Sequence, residues 1–198
     1  MNLEKLGSSF WIFLIVTSLR HVGFLSYELH RRRKARPQPV AVLGVTHIAI
    51  FRALYLAVWI GTGYALANQP SSAWFAWGMS LLVVGLIIRL VGLRTLGRFY
   101  SSYNVIQPNH QLVRRGIYSV VRHPLLFGLI LELLGMAMMS KQTWLWIGWV
   151  TSTIVLLWWQ RREDALLRTV FGRVAEKYQV EVPAMNLVSG LWRKLRSN

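Results

Sequence analysis

Five apolar runs leave this chain few folds to choose from. They cover roughly Ser8 to Leu29, Leu43 to Leu66, Ala73 to Leu93, Leu125 to Met139 and Trp144 to Trp159. About 20 apolar residues cross the ~30 Å hydrocarbon layer of a bilayer as a helix, and in lipid only a helix or a closed barrel satisfies its own backbone. The first three runs reach that length. The last two are shorter and are separated only by Ser140 to Thr143, so they read as a tight helical hairpin in a tilted or locally thinned setting. The expected fold is all-α: one polytopic membrane domain over 1–198 of about five spans, with a cytosolic connector and a carboxy-terminal amphipathic helix. Within it, 1–93 holds three spans and 94–198 the connector, hairpin and final helix.

Composition supports this reading. Apolar residues make up 54% of the 198, charged ones 15%, and the mean hydropathy is +0.38. A soluble domain carries about 25% charged residues. The net charge of +16 would suggest nucleic acid in a soluble chain, but hydropathy excludes that partner and refers the charge to cytosolic loops and anionic headgroups. Without cysteine there is no disulfide, thiolate metal site or thiol nucleophile. His21, His30 and His47 lack paired ligand spacing, so no metal is expected. Met1 to Ser9 lacks a basic start and no small-residue cleavage site follows, so no removable signal peptide is expected.

Three segments carry 18 of the 23 basic residues. They are Arg31 to Arg36, Arg94 to Arg122, and Arg161 to Arg196. Short cytosolic loops collect Lys and Arg, so the amino terminus faces out and the carboxyl terminus in. Position 69 then lies outside and position 109 inside. Trp11, Trp74, Trp77, Trp144 and Trp146 form an outer aromatic belt, and Trp158 and Trp159 an inner one. Pro108-Asn109 and Gly116 break the connector into turns. Leu166, Leu167, Val170, Phe171 and Val174 lie at helical spacing, which predicts an amphipathic helix over Arg161 to Tyr178 on the membrane surface, ending before Pro183.

Arg20, Arg52, Arg89 and Glu132 are ionisable and lie inside spans, where such residues are costly and face the interior. Arg20, Arg52 and Glu132 share a depth of about 12 Å from the cytosolic end, so they are expected to meet. They form a register-fixing ion pair or a polar floor beneath a headgroup or cofactor. Gly61-Thr62-Gly63 reads as helix packing, because no strand-turn-helix context accompanies it. The run Arg31 to Lys34 reads as a topology signal and headgroup anchor.

The densest polar constellation is Gln107 to Gly128. Pro124 suits the first turn of the fourth span, which sets Arg122 and His123 at a helix amino terminus that favours a carboxylate. Taken alone, Arg-His-Pro is compatible with helix capping. The run H-Q-L-V-x-x-G-I-Y-x-x-x-R-H-P-x-x-x-G, His110 to Gly128, resembles the isoprenylcysteine carboxyl methyltransferase family. So does E-D-x-L-L-x-x-x-F-G-x-x-x-x-x-Y-x-x-x-V-P, Glu163 to Pro183, which follows the hairpin. The resemblance covers about the last 105 residues.

It implies an S-adenosylmethionine-dependent methyltransferase acting on a lipophilic or prenylated acceptor at the membrane-cytosol interface, in the inner membrane of a bacterium or the endoplasmic reticulum of a eukaryote. Carried over by position, Gln107, His110, Gln111, Leu112, Val113, Tyr118, His123, Pro124, Leu125 and Leu126 line the cofactor, and Glu163 reaches it from the other side. The family places an Arg four residues before that Glu to hold the substrate carboxylate. Trp159 stands there, which leaves Arg122 and Arg161 as candidate cations. Leu126 and Ala175 replace aromatics, and the connector after Gln107 is shorter than usual. Methyl transfer from a sulfonium is an in-line displacement needing alignment and removal of water. A carboxylate acceptor needs a cation and no base, whereas a phenol or amine needs one, such as Glu163 or His123. The alternatives are a phenolic-lipid O- or phospholipid N-methyltransferase, a membrane reductase using NADPH, for which only Arg114 and Arg115 offer phosphate-binding charge, and a non-enzymatic bundle.

Overall fold

The computed structural model describes residues 6–32, 41–42, 46–69, 72–100, 105–106 and 110–196. Seven helices account for most of them: α1 Ser8–Arg32, α2 Thr46–Asn68, α3 Phe75–Leu96, α4 Pro124–Met138, α5 Thr143–Phe171, α6 Arg173–Glu181 and α7 Leu187–Arg196. The all-helical bundle is therefore as expected, apart from a two-residue antiparallel pairing of β1 Ala41–Val42 with β2 Val105–Ile106. Three stretches are long and apolar enough to cross a membrane, Ser8–Tyr27, Ile48–Asn68 and Phe75–Phe99, while Pro124–Met138 is shorter. One apolar core joins the first five helices, with Phe13, Leu82, Leu133, Met136, Leu145 and Leu156 fully buried.

The closest packing is between α3 and α4, and glycine explains it. Gly78 and Gly85 face Gly135 and Gly128, each pair one heptad from the next. A methyl group on Gly85 would lie 2.5 Å from the Gly128 carbonyl oxygen, and one on Gly78 the same distance from that of Gly135. Apolar side chains gain little by leaving lipid for one another, so helices associate where small residues let backbones meet. Gly61 has a similar role against Trp144, so packing is borne out for that part of Gly61-Thr62-Gly63. Gly128→Val should part α3 from α4 and cost about 1–3 kcal/mol, the usual range for overpacking. A melt followed by tryptophan fluorescence should show the loss, and an unchanged midpoint would contradict the close approach.

Two expectations change at the two sequence motifs. The amphipathic helix over Arg161 to Tyr178 is not a separate element. α5 runs unbroken from Thr143 to Phe171, because no glycine or proline lies between Gly148 and Gly172, whose φ of +52° turns the chain into α6. Its 29 residues span about 44 Å at 1.5 Å each, so its last turns project beyond any apolar layer. α6 ends at Glu181, before Pro183 as expected. The surface-seeking helix is instead α7, where Val188, Leu191, Trp192 and Leu195 are exposed beside Arg193, Lys194 and Arg196, a pattern suited to the headgroup layer. Trp159 also departs from its expected place in an interfacial belt. Trp158 is exposed, but Trp159 is 6% exposed because it turns into the bundle.

Candidate active site

The two sequence motifs are joined by backbone hydrogen bonds. The amides of Arg122 and His123 donate to the carbonyls of Pro183 and Ala184, so the turn after α6 is laid along the entry to α4. Tyr178 donates from its hydroxyl to the Tyr118 carbonyl at 2.7 Å, and α7 presses Gly190 against Val120. Gly116, at φ +59°, starts the 3-10 turn Gly116–Ser119 that delivers Tyr118 to this junction. Chain segments about 60 residues apart thus form one wall.

His123 is the N-cap residue of α4, with Pro124 as its first helical residue. Its ring is buried between two consecutive carboxylates of α5. Nε2 lies 2.9 Å from Asp164 Oδ1, and Nδ1 lies 3.6 Å from Glu163 Oε2. Burial alone would lower the imidazolium, but the hydrogen bonds and charges of Asp164 and Glu163 outweigh it and hold His123 up at about 9. At neutral pH it therefore carries a proton on each nitrogen. Burial works to raise Asp164, and the His123 hydrogen bond, followed by charge from His123 and Arg122, overcomes it and keeps the carboxyl below its ordinary value.

Asp164 is the residue that sequence reasoning passed over. Besides His123 it accepts from Arg122 Nη2 at 3.0 Å and from the Gln160 amide. Its signal was the E-D pair in the second motif, of which only Glu163 was given a role. Arg122 is correspondingly committed. One guanidinium nitrogen goes to Asp164, and another donates to the carbonyls of Gln179 and Val182, 2.8 Å away in the latter case. It clips α6 to the start of α4. Arg161 is exposed on the outer side of α5 and does not line the cavity described next.

That cavity, about 540 Å³, runs from this junction into the bundle. Its motif end is formed by His110, Gln111, Leu112, Val113, Tyr118, His123, Leu125, Leu126 and Glu163, and Arg122 and Trp159 line it too. Pro124 is buried behind this wall against α3, and Gln107 lies outside the described residues. His110 is wedged between Phe99 and Phe171, with ring centroids 5.0 and 6.2 Å away, and burial lowers its pKa. Burial likewise pushes the Tyr118 and Tyr178 phenols up. The inner end is apolar, reaching Leu129, Leu156 and Phe51, with a charged floor of Arg20, Arg89 and Glu132. The meeting of cations on Glu132 was expected, but the second cation is Arg89 and not Arg52. Gly128 has no side chain, so the stem of Arg89 crosses α4 there and brings Nη1 to 2.7 Å from Glu132 Oε1. Arg52 lines the same cavity. Among the described residues, no group of three or more His, Cys, Asp or Glu could hold a metal.

Residues 73–174, which contain α3, the connector, α4 and α5, match the family model for phospholipid methyltransferase. The chain belongs to the phospholipid methyltransferase family. It is 25% identical over 128 residues to YpbQ of Bacillus subtilis, an uncharacterised protein, covering 63% of this chain and 76% of that one. It is 29% identical over 111 residues to a probable protein-S-isoprenylcysteine O-methyltransferase of Oryza sativa subsp. indica. Against protein-S-isoprenylcysteine O-methyltransferase B of Arabidopsis thaliana it is 27% identical over 112 residues. These matches cover 53 and 54% of this chain, which spans only 56% of the length of either plant protein. The resemblance read from His110 to Pro183 is thereby borne out as membership of a membrane methyltransferase family.

Proposed function

We propose that this family member transfers a methyl group from S-adenosylmethionine to a lipophilic acceptor where the membrane meets the cytosol, an isoprenylcysteine-type carboxylate being the first acceptor to test. The observation that carries the reading is the cavity, polar at the motif end and apolar at the other, with the two family motifs hydrogen-bonded to each other at its polar end. Its volume falls in the range of about 300–1,000 Å³ usual for small-molecule sites. The donor set also fits the cofactor. The amino terminus of α4, with the positive charge of His123 beside it, suits a carboxylate, and Glu163 suits an ammonium or sulfonium centre. His110, Gln111, Leu112 and Val113 would form the opposite side.

When bound, the cofactor supplies an electrophilic methyl on a cationic sulfur. The chain's part is to hold and desolvate. Asp164 fixes the His123 ring, Arg122 fixes α6 against α4, and apolar Leu125, Leu126 and Trp159 exclude water from the junction. His123 enters neutral pH already protonated, so it donates and does not serve as the base that a phenolic or amine acceptor needs. That leaves Glu163 for such acceptors and favours one that is already ionised. The NADPH alternative is weakened because Arg114, one of its two connector cations, is paired with Glu181 at 2.8 Å.

Radiolabelled methyl transfer to a prenylcysteine, a phenolic lipid and phosphatidylethanolamine tests the reading. The prenylcysteine should be labelled, with a rate that does not rise with pH above about 6, where its carboxylate is ionised. Labelling of none of the three would contradict it. The proposed sidedness rests on basic residues. With no native cysteine to remove, Gln69→Cys should label from outside, and Glu176→Cys on α6 only after permeabilisation. The reverse would overturn that orientation.

A further inference from the structure

We infer that α7 docks through its outer face on an anionic bilayer surface, and that this contact clamps the turn carrying Tyr118 and His123. The inference goes beyond the proposed reaction and does not depend on which cofactor the cavity takes. Val188, Leu191, Trp192 and Leu195 recur at i, i+3, i+4 and i+7, so they share one face of the helix, and each is more than half exposed. Gly190, on the opposite side, is buried against the protein. The apolar stripe therefore points away from the fold that carries it and needs a cover.

Charge along the rim of the stripe identifies that cover. At about 100° per residue, Arg193 and Arg196 fall on one flank and Lys194 on the other, and residues 182–198 contain no Asp or Glu. Basic residues in a last turn also answer the helix dipole, but the dipole asks nothing of the apolar face. An apolar stripe with basic flanks matches hydrocarbon beneath anionic headgroups. Arg196 lies over the Trp192 ring, 3.6 Å from its centroid, and such a cation-indole pair suits the headgroup level. A second copy of the chain would instead set the same basic rim against itself.

The seat of α7 connects this face to the cavity. Gly190 meets the Val120 carbonyl so closely that no side chain would fit between them. Arg193 donates from Nη2 to the Ser119 carbonyl at 2.7 Å, and Lys194 from Nζ to Ser119 Oγ at 2.9 Å. Val120 precedes Pro124 by four residues, so α7 rests within about 14 Å of the start of α4. The same turn runs on to the amides of Arg122 and His123, held by Pro183 and Ala184 just ahead of α7. Lipid that holds α7 therefore restrains residues 116–123, which line the cavity with Tyr118 and His123.

The test places the full chain, without cofactor, in nanodiscs of phosphatidylcholine or of phosphatidylcholine mixed with phosphatidylglycerol. Because the chain has no cysteine, Leu191→Cys or Val188→Cys takes a single environment-sensitive fluorophore on the outer face of α7. Its emission should brighten and shift to the blue in the anionic discs relative to the neutral ones, and high salt should reverse the shift. Arg196→Glu should lower the docked-to-undocked ratio by about fivefold or more, since each basic residue near an anionic leaflet is worth about that factor. Hydrogen exchange at the amides of residues 116–123 should slow in the anionic discs and return to the neutral-disc rate in Arg196→Glu, whose side chain rests on Trp192 and not on that turn. A fluorophore equally exposed to water in both discs would overturn the docking and leave the stripe to a protein partner. One equally buried in both, and indifferent to Arg196→Glu, would overturn the preference for anionic lipid. Docking with no change in exchange over 116–123 would overturn the clamp.

Discussion

Asp164→Ala should be the most damaging single substitution at the motif junction, lowering stability by about 3–5 kcal/mol and abolishing measurable cofactor binding. The carboxylate serves two buried cations at once, Arg122 at 3.0 Å and His123 at 2.9 Å. Its removal leaves the Arg122 guanidinium without a carboxylate and His123 with only Glu163, 3.6 Å away. Asp164→Asn keeps an acceptor oxygen but not the charge, so it should fall between the two. Thermal melts in detergent give the stability, and the same samples titrated with S-adenosylmethionine give the affinity. An Asp164→Ala protein that melts with wild type would show that the junction is not held by this carboxylate.

Raising the pH should produce the second large effect. His123 is held at about 9 against an ordinary value near 6.5, so its contribution to stability is complete below about pH 6.5 and is lost as pH rises through about 9. Asp164 behaves oppositely. Its lowered pKa gives stability that is present above the ordinary carboxylate range and is lost on acidification. The charged groups around the ring are Glu163, Asp164 and Arg122. Wild-type melting should therefore fall by several degrees across that window, while His123→Gln should be flatter. Cofactor affinity should fall in parallel, because the imidazolium beside the cofactor's carboxylate loses its charge. Identical pH profiles for the two proteins would contradict the protonated state assigned to His123.

Much of the bundle was legible because hydropathy acts on whole segments. The helix starting at Pro124 needed only a proline placed where its missing amide costs nothing. What stayed hidden depended on contact between helices. The facing glycines of α3 and α4 decide that Arg89 reaches Glu132 ahead of Arg52, although Arg52 is the better match in depth. Depth along separate helices says nothing about which faces touch. Similarly, nothing near Gln160 stops a helix, so α5 continues to Gly172, and the apparent amphipathic stripe belongs to its projecting end. Glu163 and Asp164 are neighbours in sequence and both reach His123, since a ring has two nitrogens to offer. The family resemblance assigned a role to Glu163 alone, and nothing in the spacing of the motif marked its neighbour.

The central claim is that the polar end of the cavity binds S-adenosylmethionine. Calorimetric titration of the detergent-solubilised chain with S-adenosylmethionine and, separately, with NADPH tests it most directly. Saturable heat should appear with the first and not the second, and His123→Ala and Glu163→Ala should each weaken binding by about 1–3 kcal/mol, the cost of a hydrogen bond to a charged group. Binding of NADPH alone, or S-adenosylmethionine affinity unchanged in both variants, would contradict the assignment.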